Sequence, residues 1–493
     1  MPASATAPAH CQVRGELAAL TAGADPIRFQ LNLPFDWNRK ALMVGGGGFN
    51  GSLVDAMAPL RDAAAGQALP IAQGFATFGT DSGHDATSYN ATDPARFALN
   101  DEMLENFAHA SYKKTRDAAH VVMTRYYGQA PDRQYFYGGS EGGREGLTMA
   151  QRYPTDFDGI VSIVPVIHWS GLFNSFLAFS RPQAQGGALS SAQIDAIART
   201  VNTVCDSLDG LADGVINNTA ACAQRMDLNL LACPQAPAAT CLSPAQMATV
   251  RAVYAPTPLS FAQANGLTSY PARLFGGEIQ PGGEGLARWV TTGRAPTSPT
   301  PLATDARGWI YGNSYARYLI AQDPAIDPLT MDLSAYAPRL REISALMDST
   351  NPDLSAFHAA GGKLILRENA GDMAQSAAAG IDYVAAVRER LGSARTDDFL
   401  RLYVSPASSH GGSAASLTDG RTIPTNIDLL SVLDDWVEDG TAPGDLVQVS
   451  RAAQAPHAIT ASRPLCQYPG YPHYRGGDVQ AASSYACQAP ATR

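Results

Sequence analysis

Charge is scarce in this chain. Only 16% of its 493 residues are Asp, Glu, Lys or Arg, against about a quarter in an ordinary soluble domain. What charge there is leans acidic: 35 basic against 45 acidic side chains give a net charge of −10. A nucleic-acid binder needs a basic face, and an anionic membrane surface asks for the same, so neither partner is expected. Long apolar runs are also missing. The longest, such as residues 161–167 (VSIVPVI), are strand-sized, well short of the ~18 residues of a membrane span. The opening MPASATAPAH lacks the basic head and apolar stretch of a signal peptide. No C-x-x-C or His-rich spacing points to zinc, and no unit of 20–50 residues repeats.

What is present is a globular composition, 45% hydrophobic. At roughly 100–200 residues per domain, the length predicts two to four domains, or one with a large insert. Residues 25–170 alternate strand-like and helix-like patterns: strands at 27–33, 41–44, 71–80, 134–138 and 158–166, with helices at 100–127 and 142–152. From residue 354 the alternation resumes, with strands at 363–369 and 399–406 and helices at 376–391 and 427–438. Such alternation predicts an α/β fold with a mainly parallel sheet covered on both faces. Residues 185–345 break the pattern with a helix at 190–204, four cysteines, an Asp cluster and Pro-rich loops. We therefore expect a catalytic domain at 1–184 and 346–493, opened by an inserted lid at 185–345.

The seven cysteines divide unevenly. Six fall as Cys205/Cys222, Cys233/Cys241 and Cys466/Cys487, the spacing of three local loops closed by disulfides, and Cys11 is left over. Disulfides imply an oxidising compartment, so a secreted or periplasmic location is expected.

Gly138-Gly139-Ser140-Glu141-Gly142 fits G-x-S-x-G. The five letters mean little in a glycine-rich chain, but a strand precedes them and a helix follows, the setting of an α/β-hydrolase nucleophile elbow. The amide after the serine, that of Glu141, then faces a developing oxyanion at a helix N-terminus. A second donor is expected from the glycine run after the strand 41–44, at Gly46 or Gly47. The base and its orienting carboxylate follow the serine in the order Ser, Asp/Glu, His. Asp372 and His410 each lie just past a late strand. Asp382, Asp397, His168, His457 and His473 fit less well.

Asp206, Asp209 and Asp213 crowd into CDSLDGLADGV (205–215) among glycines. Three carboxylates with the carbonyls of Leu211 and Val215 are a hard-oxygen set suited to calcium. A solvated acidic turn explains the same letters. The spacing is not that of an EF-hand.

These segments together resemble the tannase and feruloyl esterase family of secreted serine esterases. The likeness runs through HCQVRG (10–15), LPFDWNRK (33–40), GGGGFNG (45–51), TDSGHD (80–85), YYGQAPDRQYFYGGSEGGREGLTMAQRYPTDFDGIV (126–161), CDSLDGLADGVI (205–216), GGKLIL (361–366) and RPLCQYPGYPHYRG (463–476). It implies an α/β-hydrolase fold with Ser140, Asp372 and His410 as triad, and an oxyanion hole from Glu141 and a glycine of 45–48. It also implies a structural Ca2+ at Asp206, Asp209, Leu211, Asp213 and Val215, and the three disulfides paired as above. The reaction it implies is acyl-enzyme hydrolysis of aromatic esters of hydroxycinnamate, gallate or terephthalate type. The alternatives are a non-catalytic ligand-binding relative and an esterase for non-aromatic esters. The expected pocket draws on lid residues Trp289, Trp309, Tyr311, Tyr315 and Tyr318, with Arg288, Arg307 and Arg317 available to a carboxylate. In one respect the chain departs from the family: where a disulfide would link the residues beside the catalytic Ser and His, it carries Gly139 and Gly411. Packing alone is then expected to hold His410, with more freedom in the 405–413 loop.

Overall fold

A computed structural model describes the whole chain apart from residues 5, 235–237, 239 and 491–493. Eight strands form one sheet: β1 (His10–Leu17), β2 (Ile27–Pro34), β3 (Lys40–Val44), β4 (Ala76–Thr80), β5 (Arg133–Gly139), β6 (Gly159–Ile163), β7 (Lys363–Asn369) and β8 (Leu400–Ser405), in the order β1-β2-β4-β3-β5-β6-β7-β8. β2 pairs antiparallel with β1 and β4, and the pairs from β4 through β8 are parallel. This is the expected α/β-hydrolase architecture.

The parallel strands are short apolar runs because both faces are covered. Phe136, Ile160, Leu364 and Leu366 point to one face, where α1 (Ser111–Tyr127), α2 (Glu141–Arg152) and α4 (Ala378–Leu391) bring Met123, Leu147 and Val387. Tyr135, Tyr137, Val161 and Ile365 point to the other, under Leu433 and Trp436 of α5 (Leu429–Asp439). The period of two in the strands decides which residue meets which layer.

Some sequence boundaries shift. β1 was not anticipated. The expected strand at 71–80 begins only at Ala76, because Pro70 opens a 3-10 turn over Pro70–Gln73 and Gly74 ends it at φ 88°. β6 stops at Ile163 because Val164 turns to φ 39° ahead of Pro165.

The 185–345 segment is mostly helical. Ser190 and Ser243 each form a capping box with a Gln three residues on, an arrangement worth ~1 kcal/mol per cap. It does not enclose a core of its own. Ile197, Val250, Trp309 and Ile343 share one apolar cluster with Phe49, Phe97 and Phe107 and with Trp169, Phe173 and Phe176 of α3 (Trp169–Pro182). Cys205–Cys222, Cys233–Cys241 and Cys466–Cys487 are bonded as expected, and Cys11 is free, half-buried on β1. Among the described residues no helix is long and apolar enough to cross a membrane.

His84 marks where this cluster meets the glycine run after β3. Its ring stacks on Phe97 at 3.9 Å, and Nε2 donates to the Phe49 carbonyl at 2.9 Å. Burial holds its pKa at about 4. The folded-state value is depressed, so its contribution is present above the unfolded value near 6.5 and is lost as pH falls through 4. By linkage this one group removes ~3 kcal/mol of stability across that window. Urea unfolding at pH 7 and pH 4 is expected to show a smaller loss in His84→Gln than in wild type. Equal losses would refute the assignment.

Candidate active site

β5 runs directly into Ser140, and α2 begins at the next residue. Ser140 sits at φ 60°, ψ −123°, a conformation costing ~1–3 kcal/mol for a residue with a side chain. Its surroundings over-determine it. The Ser140 amide donates to Ile163 O at 2.8 Å, and its carbonyl accepts from Gly143 at 3.0 Å and Arg144 at 3.2 Å. The turn closes only because two flanking positions lack a Cβ. One at Gly138 would lie 2.2 Å from Gly142 O, and one at Gly142 would lie 2.7 Å from Gly46 O. The serine hydroxyl is thereby presented at the carboxyl end of the sheet.

β7 and β8 end beside it. Asp372 follows β7 and His410 follows β8. His410 Nε2 is 2.9 Å from Ser140 Oγ, and Nδ1 is 2.6 Å from Asp372 Oδ2. Asp372 is fully buried, and its Oδ1 accepts from the amides of Ala374 and Gln375 at 2.7 and 3.1 Å. A carboxylate so fixed accepts only, so Nδ1 carries the proton and Nε2 is free to accept from the serine. The structure thus brings Ser140, Asp372 and His410 together as expected. Asp382, Asp397 and His457 take no part in this chain, and His168 bonds Gln263 instead.

The glycine run is placed by groups that sequence reasoning missed. Glu145, fully buried on α2, accepts from Gly46 N at 3.1 Å through Oε2 and from Asn50 Nδ2 at 2.5 Å through Oε1. Gly46 is therefore committed to the scaffold, a correction to the expectation that it faces the oxyanion. Among the described residues the amides of Gly47, Gly48 and Glu141 donate to no protein acceptor. Glu141 is itself buried. Arg144 Nε holds its Oε1 at 2.7 Å, and Arg144 reaches on to the carbonyls of Phe107 and Ala108. Burial pushes the Glu141 carboxyl up, and the arginine pulls it back.

A cleft of about 350 Å³ opens on Ser140 and His410. Its walls come from α3 (Trp169, Leu172, Phe173, Phe176) and from Trp289 and Tyr311 of the inserted segment. Trp289 meets the His410 ring edge-on at 5.4 Å. Trp309, Tyr315 and Tyr318 lie instead in the buried core. Of the three arginines expected here, Arg317 pairs with Asp93 at 2.8 Å and Arg288 with Glu284 at 3.1 Å, while exposed Arg307 stands outside the lining, 3.4 Å from the hydroxyl of the wall residue Tyr311. Gln375 lines the cleft, is 2% exposed, and neither its Oε1 nor its Nε2 has a hydrogen-bond partner. The apolar walls were missed because α3 reads as ordinary core; its Trp-x-x-x-Phe-x-x-Phe spacing was the available signal.

Asp206, Asp209 and Asp213 lie buried in one turn. Asp206 accepts from the amides of Asp213 and Gly214, Asp209 from those of Leu211 and Asn217, and Asp213 Oδ2 from Arg421 and Arg463. Asp213 Oδ1 has no partner. Their oxygens do not all converge. Among the described residues the one trio of ligand atoms within 4.8 Å of one another is Asp445, Cys466 and Cys487, whose sulfurs are already in a disulfide.

Elbow, relay and sheet together define a serine hydrolase of the α/β class. A family profile described as tannase and feruloyl esterase matches residues 11–488, and the chain belongs to that family. An uncharacterized esterase of Agrobacterium fabrum is 32% identical, covering 97% of this chain and 85% of the relative. Mono(2-hydroxyethyl) terephthalate hydrolase of Piscinibacter sakaiensis is 31% identical, covering 99% and 87%. Feruloyl esterase B from Aspergillus oryzae superposes with TM-score 0.79 at 24% identity, covering 97% of this chain and 91% of that one, and supports the fold alone. The chain is a carboxylic ester hydrolase.

Replacing Asp372 by Asn keeps the shape but frees the wrong ring nitrogen. kcat is expected to fall by about 10⁴ with little change in KM. A loss below tenfold would show that the 2.6 Å contact does not set the tautomer.

Proposed function

We propose that the protein hydrolyses esters of small, uncharged aromatic acids, of phenolic or hydroxycinnamate kind, through a Ser140 acyl-enzyme. Ser140 Oγ attacks the ester carbonyl as His410 Nε2 takes its proton, and Asp372 steadies the imidazolium. The oxyanion lies between the Glu141 amide and the amides of Gly47 and Gly48. Collapse expels the alcohol, which takes the proton from His410. Water then attacks the acyl carbon by the same relay and releases the acid. The inserted segment serves as a lid, with Trp289 and Tyr311 roofing the cleft.

The observation that carries the substrate class is the lining of the cleft. Five aromatic rings surround it and no Lys or Arg does. An aromatic acyl group suits such walls, whereas a ring carboxylate of terephthalate type finds no cation among them, exposed Arg307 standing outside on the Tyr311 hydroxyl. The orphaned Gln375 amide offers a neutral partner to a ring hydroxyl, and leaving it unpaired costs ~1–3 kcal/mol. The test is a panel of methyl ferulate, methyl gallate, methyl cinnamate and mono(2-hydroxyethyl) terephthalate. The hydroxylated neutral esters are expected to give the highest kcat/KM, and Gln375→Leu to erase their advantage over cinnamate. A wild type that prefers the terephthalate monoester would overturn the reading. Ser140→Ala as active as wild type would overturn the nucleophile.

We also assign a structural calcium ion to Asp206, Asp209, Asp213 and the carbonyls of Leu211 and Val215. The donors are hard oxygens only, which suits calcium. Burial pushes the Asp209 carboxyl up to about 7, a cost that a cation would offset, and the free Asp213 Oδ1 is a ready ligand. Convergence of the carboxylates would accompany binding. EGTA is expected to lower Tm by a few degrees, calcium to restore it, and Asp209→Asn to abolish the response. A Tm indifferent to both reagents removes the ion. The three disulfides support a secreted or periplasmic location.

A further inference from the structure

We propose that Arg61 is a positioning residue that ties the His410 loop to the nucleophile elbow; the inference rests on Ser140 and His410 acting as described. The segment after the glycine run passes between the ends of β5 and β8. Arg61 lies there across the backbone of Gly139, the residue before the nucleophile. A Cβ at Gly139 would fall 2.3 Å from Arg61 Cδ and 2.8 Å from Nη1. From this seat Arg61 Nη2 donates to the main-chain carbonyl of His410. One side chain therefore touches the backbone of His410 and of the residue before Ser140.

The seat itself is braced from three sides. The Arg61 carbonyl accepts from the Tyr137 hydroxyl of β5 at 2.8 Å. The next side chain, Asp62, pairs with Arg367 of β7 at 2.9 Å, and both are buried. The Asp62 carbonyl accepts from Ile427 N at 2.9 Å, just ahead of α5. Arg61 is thus fixed relative to the strands that present Ser140 and Asp372, and it passes that frame to the loop that presents His410. A Cβ at Gly411, beside the accepting carbonyl, would reach Ser409 Oγ at 3.8 Å and Glu284 Cδ at 3.9 Å; glycine makes neither contact, so side-chain packing there does not substitute for the hydrogen bond. Other ties on the loop, Asn369 Nδ2 to Ser409 O at 2.7 Å and Gln280 Nε2 to Ala407 O at 2.9 Å, reach neighbouring residues and not the carbonyl of the base.

A positioning role predicts a loss in turnover without a loss in binding, because no Arg61 atom lines the cleft. Arg61→Met keeps an unbranched chain over Gly139 but removes the donor; Arg61→Lys keeps a donor. With 4-nitrophenyl acetate as probe, Arg61→Met is expected to lose about 10²-fold in kcat, the cost of a small misplacement of reacting groups. KM should stay within about twofold, and Arg61→Lys should fall between Met and wild type. Equal kcat in the Met and Lys variants, or a Met variant as fast as wild type, overturns the proposal. If Arg61→Met does not fold, Arg61→Ala with added methylguanidinium decides: recovery of kcat supports the tie and its absence overturns it. Ser140→Ala runs alongside. If it matches wild type, the nucleophile reading fails and the Arg61 role falls with it; if it is inactive while Arg61→Met keeps full kcat, only the Arg61 role fails.

Discussion

The close approach of backbones at residue 140 is the constraint on which the rest depends. Ser140 holds φ 60° because β5, α2 and the glycine run after β3 press together at one point. Nothing bulkier than hydrogen fits at Gly138 or Gly142. The strain is local, while the forces that sustain it are spread over three elements. That arrangement also brings the Glu141 amide and the glycine run close to the serine hydroxyl, so the geometry that strains the serine also supplies the donors of the proposed oxyanion site.

Buried charge on α2 extends the same frame. Glu141, Arg144 and Glu145 are all within 1% of full burial. Burying unpaired ions is costly, and pairing them seldom yields net stability over an apolar core. Their bonds explain why charge stands here. Glu145 reaches across to Gly46 and Asn50, and Arg144 reaches to Phe107 and Ala108. Directional bonds locate a flexible glycine loop, which has no side chains of its own to pack. Apolar contact would leave that loop free to slide.

Much of this was legible before any coordinates. Period-two apolar runs gave β2, β3 and β5 nearly to the residue, and strand–G-x-S-x-G–helix gave the elbow. Local cysteine spacing gave the three disulfides. What escaped has a common physical reason: it depends on long-range partners. Whether Gly46 or Gly47 is free is decided by Glu145, some hundred residues away. Arg288 and Arg317 looked available for a ligand, but each is paired with a carboxylate that composition does not reveal. β1 reads as loop because its burial is uneven, with only His10 fully covered. The aromatic wall of α3 reads as ordinary core because its rings face both core and cleft.

The pair Gly139 and Gly411 shows such a long-range effect. The space above Gly139 is filled by Arg61, and the loop is tied by hydrogen bonds to the His410 and Ser409 carbonyls. A larger residue at 139 would displace the Arg61 side chain from this seat. Glycine at 139 is therefore one half of a steric pair, and its partner lies 78 positions upstream. A polar tie differs from a covalent one in kind. It constrains the direction of the His410 carbonyl without adding a covalent bond, and it joins that carbonyl to the frame of β5 and β7 through the braced segment at 61–62.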